Sequence, residues 1–180
     1  MSKRQLRPTV ALRPVPVVLV TCIDSEGRPN IITLAWAGVV CSAPPMLGIA
    51  VRPTRYSYQL IKDSKEFVVN LPTAGMVAAA EYCGTRSGKN EDKFAGAGLN
   101  PVAASQVKAP LIAECPINME CVVRHEISLG SHDLFVGEIV AVHVDESVFD
   151  ESGVISTAKV NPLAYAPPRE YWNLGSKLSL

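Results

Sequence analysis

Val17-Val-Leu-Val-Thr-Cys-Ile-Asp24, Ser25-Glu-Gly-Arg-Pro-Asn30 and Ile31-Ile-Thr-Leu-Ala-Trp36 decide the fold. The first stretch is rich in β-branched residues and reads as a strand. The second has turn chemistry, with Gly, Pro, Asn and Ser close together. The third returns as a strand. Together they predict an antiparallel hairpin with a longer loop.

Working outward, the β pattern continues. Val39-Val-Cys-Ser42 precedes a break at Pro44-Pro45, and Met46-Leu-Gly-Ile-Ala-Val51 reads as a buried strand. Thr54 is expected to cap a helix from Arg55 to Lys62. Phe67 to Leu71 is a strand stopped by Pro72. Gly75 to Cys83 is Ala-rich and helical, with Gly84 as its expected C-cap. Residues 85–110 read as a long excursion with a short helix near Glu91–Ala95. A loop of that length points to a functional role. Ile117, Met119, Cys121 and Val123 alternate with Asn118, Glu120, Val122 and Arg124, the period of a long strand. Gly130-Ser-His-Asp133 is a turn, and Leu134 to Val144 returns. The tail, Ser156 to Leu180, has three prolines and little periodicity. Its aromatics, Tyr165, Tyr171 and Trp172, are expected to pack on the domain or on a partner chain.

These elements predict a mainly β or α+β fold, with six or seven mostly antiparallel strands and a few short helices. Strands do not alternate with helices in the second half, which excludes a Rossmann sheet. At 180 residues the expectation is one domain over 1–180, with a core at about 10–150 and a tail at 151–180.

Seventeen Lys and Arg balance seventeen Asp and Glu, and only 19% of residues are charged against 48% apolar. Low charge with high apolar content is the opposite of a disorder signature. Zero net charge argues against nucleic-acid binding through a broadly basic surface. The same composition favours self-association. The five cysteines are odd in number and fit no zinc spacing, so most are expected as small apolar core residues in a reducing cytoplasm. Pro14 and Pro16 interrupt the apolar run of any secretory signal, and no stretch has the length of a membrane helix. The expectation is a cytoplasmic protein without a membrane segment.

Two glycine-rich stretches fail as nucleotide motifs. Gly84-Thr-Arg-Ser-Gly88-Lys89-Asn90 has three residues between its glycines and Asn after its lysine, unlike a P-loop. Gly96-Ala-Gly98 lacks the third glycine of a dinucleotide fingerprint. Arg52-Pro-Thr-Arg-Tyr-Ser57 is the better anion site, because it lies where a strand meets a helix N-terminus. One phosphate monoester suits it; a plain Thr54 cap with two solvated arginines accounts for it equally well. Trp36 beside Ala37-Gly38 suits a planar ligand or a buried or interfacial indole. His125, His132 and His143 form no metal set. No nucleophile elbow is present, and Cys41 has no evident base. No catalytic acid, base or nucleophile is assigned.

Pro14 to Thr21, Asn30 to Trp36, Ser42-Ala-Pro-Pro-Met-Leu-Gly-Ile49 and Arg52 to Ser57 together resemble the flavin reductase-like family. Phe67-Val-Val-Asn-Leu-Pro72, Asp92-Lys93-Phe94 and Gly130 to Glu138 continue the likeness, over roughly residues 10–170. The resemblance implies an FMN-binding split β-barrel acting as a homodimer, with each flavin near the subunit interface. It implies that Arg52, Thr54, Arg55, Tyr56 and Ser57 hold the FMN phosphate. Asn30, Thr33, Ala35 and Trp36 would line the isoalloxazine, with Cys41 and Ser42 along it. Lys93 would reach the phosphate or ribityl chain, His132 would sit beside the flavin and Tyr165 would cover it. Two activities follow. One is an NAD(P)H-dependent flavin oxidoreductase serving flavin, an acceptor or a partner oxygenase. The other is a non-enzymatic FMN electron carrier reduced by another redox protein.

Overall fold

The computed structural model describes residues 2–178. The ends of the expected 1–180 domain, residues 1, 179 and 180, lie outside them. In chain order the strands and helices are β1 (Val15–Pro16), β2 (Val18–Ile23), β3 (Pro29–Leu34), β4 (Ala37–Ser42), β5 (Pro45–Val51), α1 (Tyr56–Ser64), β6 (Glu66–Leu71), α2 (Val77–Thr85), α3 (Lys93–Ala97), β7 (Pro101–Val102), β8 (Leu111–Ile112), β9 (Ile117–Ser128), β10 (Asp133–Val144), α4 (Thr157–Val160), β11 (Ala164–Ala166) and β12 (Glu170–Trp172).

Seven strands form one antiparallel sheet in the order β3-β2-β6-β9-β10-β5-β4. Its two edge strands, β3 and β4, are consecutive in sequence and joined only by Ala35 and Trp36. The sheet therefore curls round until its edges nearly meet. Ala50 N–H donates to the Trp36 carbonyl at 2.9 Å, which extends the β4–β5 pairing back into this link. This is a split barrel, and the functional residues gather at the split.

The continuous apolar run of β2 has a physical cause. Val18, Val20 and Cys22 point into the barrel core with Ile49, Val51, Phe67, Val69, Cys121 and Phe135. Val17 and Leu19 point outward, into a second core with Ile31, Ala80, Cys83, Phe94 and Leu99, beneath α2 and α3. A strand covered on both faces carries apolar residues at successive positions. Each fully buried Leu, Ile or Phe side chain stabilises by roughly 1.5–3 kcal/mol. Gly137 is required by packing: a Cβ there would lie 2.7 Å from Phe67 Cζ and 2.9 Å from Cys121 Cβ.

Three expectations need correction. Thr54 does not cap α1; Arg55 occupies the N-cap position, with no side-chain cap bond. Gly84 does not end α2, which continues to Thr85. A Cβ on Gly84 would meet Thr33 Cβ at 3.3 Å, so this glycine allows the helix to approach β3 closely. The short helix of the excursion begins at Lys93, where Asp92 accepts from the Phe94 and Ala95 N–H groups.

The second half of the excursion is anchored rather than open. Buried Glu120 accepts from the backbone N–H of Ser105, Gln106 and Val107 and from the Ser105 hydroxyl, at 2.6–3.0 Å. His143 Nε2 lies 2.6 Å from the same carboxylate. Burial alone would raise the Glu120 pKa, but these partners hold it down to about 2. The segment thereby covers Val68 and Ile23 with Val107, Ala109 and Leu111.

The tail packs on its own chain. β11 pairs with β1, and β12 pairs with β11, in a small separate sheet.

Candidate functional site

At the split, residues from four distant parts of the chain meet. Thr33, Ala35, Trp36, Arg52, Arg55, His132 and Tyr165 line one cleft of about 260 Å³, with Ile32, Leu34, Ala50, Gly84 and Pro167. Seven of the fourteen residues singled out in the sequence are thus brought together. The register of the sheet explains how. Asp133 stands opposite Val51 across the β10–β5 pair, which sets His132 beside Arg52. Trp36 reaches the same place because it links the two edge strands.

Trp36 is neither a core residue nor freely rotating, being 41% exposed. Its indole packs on the His132 imidazole, with ring centroids 4.3 Å apart at 48°. Arg52 Nε donates to His132 Nε2 at 3.3 Å. Ser131 Oγ lies 2.9 Å from Nδ1. Partial burial, then the charges of Arg52 and Arg55, push the His132 pKa below its ordinary value. A neutral imidazole is therefore the form present near pH 7, with Nε2 as acceptor and Nδ1 carrying the proton. The cleft's formal charge then comes from Arg52 and Arg55.

A second opening, of about 300 Å³, lies nearby. It is lined by Asn30 and Tyr56 with Asp24, Arg28, Gly88, Lys89, Glu91 and Asp92. Asn30 Nδ2 donates to Ser57 Oγ at 2.7 Å. Asn30 Oδ1 is buried and has no hydrogen-bond partner among the described residues. Leaving such an oxygen unpaired costs about 1–3 kcal/mol, which a donor on a ligand would recover. Gly88 is essential to this geometry, since a Cβ there would lie 1.9 Å from Asn30 Oδ1.

The remaining residues lie elsewhere. Lys93 is buried beneath β3, and its ammonium donates to the Ile31 and Cys83 carbonyls at 2.8 and 2.7 Å. Two of its three donors are thus engaged in holding α2 and α3 to β3. Burial lowers its pKa. Thr54 is exposed in the turn before α1 and lines neither opening. Cys41 and Ser42 are not brought to the cleft within one chain. They pair with Met46 and Pro45, at the far end of β5 from Ala50. Five residues of extended chain separate Cys41 from Trp36, about 16 Å.

Sequence reasoning missed Gly84 and Pro167 as cleft residues. It also missed a third opening, lined by Glu81, Thr85, Arg169 and Tyr171. The Ala-rich period of α2 gave no sign of which helix face meets β3.

The model of the flavin reductase like domain matches residues 11–174. Flavoredoxin of Desulfovibrio vulgaris (Miyazaki F) superposes with a TM-score of 0.93 at 39% identity, covering 99% of this chain and 97% of that one. A flavoredoxin from Methanosarcina acetivorans gives 0.91 at 31% identity, covering 100% and 95%. A putative flavin reductase with a split barrel domain, from Shewanella frigidimarina, gives 0.85 at 23% identity over 93% and 85%, a likeness of fold.

Proposed function

Since the chain belongs to the flavin reductase-like family, we propose that it is an FMN-binding redox protein taking electrons from NAD(P)H. The observation that carries this reading is the pairing of two adjoining, unlike sites. One is an aromatic cleft with two arginines. The other holds the unpartnered buried Asn30 Oδ1. A flavin mononucleotide has the matching parts: a flat ring, a chain of hydroxyl donors and a phosphate.

Bound FMN would supply hydride or single-electron chemistry at its isoalloxazine ring. The chain's own residues do the rest. Trp36 and Tyr165 exclude water from the ring's faces. The backbone of Thr33 to Ala35 offers polar groups to its edge. His132 stays neutral, held by Arg52, and presents a dipole rather than a charge. Arg52, Arg55 and the first-turn N–H groups of α1 attract the phosphate. Asn30 Oδ1 accepts from a ribityl hydroxyl. No residue need act as a general acid or base.

A second reading is a non-enzymatic electron carrier. The extent of the likeness to flavoredoxins favours it. Stopped-flow mixing separates the two. Fast bleaching of bound-flavin absorbance by NADH or NADPH supports the oxidoreductase. No bleaching by either, with reduction by a ferredoxin-type protein, supports the carrier. Failure of the protein to take up FMN on equilibrium dialysis would sink both.

The homodimer belongs to the same proposal. Val39 and Val40 on β4 and Val142 on β10 are 74%, 54% and 54% exposed. Exposed valines on strands suit a subunit contact. Such a contact would also give Cys41 and Ser42, on β4, a route to the partner's flavin. Sedimentation at micromolar concentration tests it. No helix among the described residues is long and apolar enough to cross a membrane.

A further inference from the structure

Tyr165 on β11 lines two openings at the split. One is the cleft of Trp36, Arg52 and His132. The other is a separate opening of about 260 Å³, lined by Glu81, Thr85, Arg169 and Tyr171. Thr33, Ala35, Gly84 and Tyr165 line both. The two chambers therefore share a floor and one aromatic wall.

The chemistry of the second chamber is specific. Tyr165 and Tyr171 stand with ring centroids 5.5 Å apart at 59°, an aromatic corner. Arg169 is paired with Glu81 through Nη2. The other Glu81 oxygen accepts from the Tyr171 hydroxyl at 2.8 Å. Both oxygens of the acid are thus occupied, and its charge is covered. An arginine has five N–H donors in a planar fork, and one carboxylate oxygen engages only part of it. The Arg169 side chain is 71% exposed, against 32% for Glu81. An ion pair that open to water is weak and exchangeable.

We propose that this second chamber is a binding subsite for the small molecule that exchanges electrons with the flavin, a planar aromatic ring carrying an anionic group, and that Arg169 is its recognition residue. The ring lies against Tyr165 and Tyr171. The anion takes the guanidinium fork, bidentate where it presents two oxygens. Glu81 holds Arg169 in place until the anion displaces it, and so sets the threshold for binding. The subsite rests on the proposed placement of FMN in the first chamber. A ring carboxylate and a nicotinamide dinucleotide phosphate both have the required chemistry, and experiment chooses between them.

The test uses the full chain, with and without FMN. Benzoate, the neutral isostere benzamide and NADPH are titrated, and the Arg169 side-chain Nε–H resonance is followed by NMR. Benzoate, NADPH or both should move that resonance, and benzamide should not. Arg169→Gln should weaken the responding anion by about tenfold or more. It should leave the FMN dissociation constant within about twofold. Glu81→Gln removes the competitor and should tighten the anion about two- to fivefold. Both positions are at the surface, and thermal melts check that the variants fold.

Unchanged anion binding in Arg169→Gln overturns the subsite. So does an equal loss of FMN binding, because the chamber would then be part of the flavin site. A wild-type protein that binds benzoate at Arg169 but takes up no FMN overturns the flavin reading instead, and the two failures are thereby distinguished.

Discussion

The indole of Trp36 covers one face of the His132 imidazole, at 4.3 Å between ring centroids. Two residues 96 positions apart thus share one wall of the cleft. The contact leaves Trp36 41% exposed, so it contributes little to the core. Trp36→Ala should leave the melting temperature within a few degrees, a change of about 1 kcal/mol or less. It should weaken FMN binding by about tenfold, as loss of one aromatic contact of about 1.5 kcal/mol does. Fluorescence titration of FMN checks this. A variant that binds FMN as well as wild type would remove Trp36 from the site.

The His132 titration offers a second check. Burial and the neighbouring arginines lower its pKa, so the folded state disfavours the imidazolium. The sign follows: this group costs stability as pH falls below its ordinary value of about 6.5, where the unfolded chain binds the proton and the folded chain resists it. Arg52→Gln removes one cation and keeps a side-chain amide. The His132 pKa should rise, measured from its ring proton shifts. An unchanged or lower value would contradict the Arg52–His132 bond.

Glu120 anchors the second half of the long excursion. Glu120→Ala leaves three backbone N–H groups and a hydroxyl without their acceptor and empties a fully buried position. The expected loss is about 3 kcal/mol or more, read from urea denaturation. The pH dependence has the opposite sign to that of His132. The Glu120 contribution is fully present above its unfolded pKa of about 4.3 and is lost as pH falls toward about 2. Glu120→Gln should therefore flatten the acid limb of the stability curve. Protease resistance within residues 103–110 should fall with it.

The cysteines make a prediction about the core. Cys22, Cys83, Cys115 and Cys121 are buried. Burial pushes Cys22 and Cys121 up to about 12 and Cys83 to about 11, and raises Cys115 as well. Thiols held protonated and out of water do not react. An aromatic disulfide reagent should label at most one thiol in the native protein, Cys41, and all five in guanidinium. A second native label would show that one of the buried clusters opens.

Gly137 tests the barrel packing. Gly137→Ala forces a methyl group against Phe67 and Cys121, both fully buried, at distances below 3 Å. Overpacking of this kind costs about 1–3 kcal/mol. The melting temperature should fall by roughly 2–12 °C at this chain length. An equally stable variant would mean that Phe67 has room to move.

Local pattern settled much of this molecule. The β-branched run of β2, the period-two alternation of β9 and the Gly130–Asp133 turn are short-range properties, so these strands and their hairpins are legible from residue order alone. The same holds for the clustered interest at Arg52 to Ser57 and at Trp36. Other features depend on which distant residues become neighbours, and only the curled sheet decides that. Register across β5 and β10 puts His132 on Arg52. The close approach of α2 to β3 makes Gly84 a cleft residue rather than a helix end. Lys93, expected to reach the FMN phosphate or ribityl chain, lies beneath β3 because the Ile31 and Cys83 carbonyls accept its ammonium. Cys41, close to Trp36 in sequence, is carried away from it because an extended strand advances about 3.3 Å per residue. Sequence order set the strands. The closing of the barrel seam, a sum of weak contacts between residues far apart in the chain, set the site.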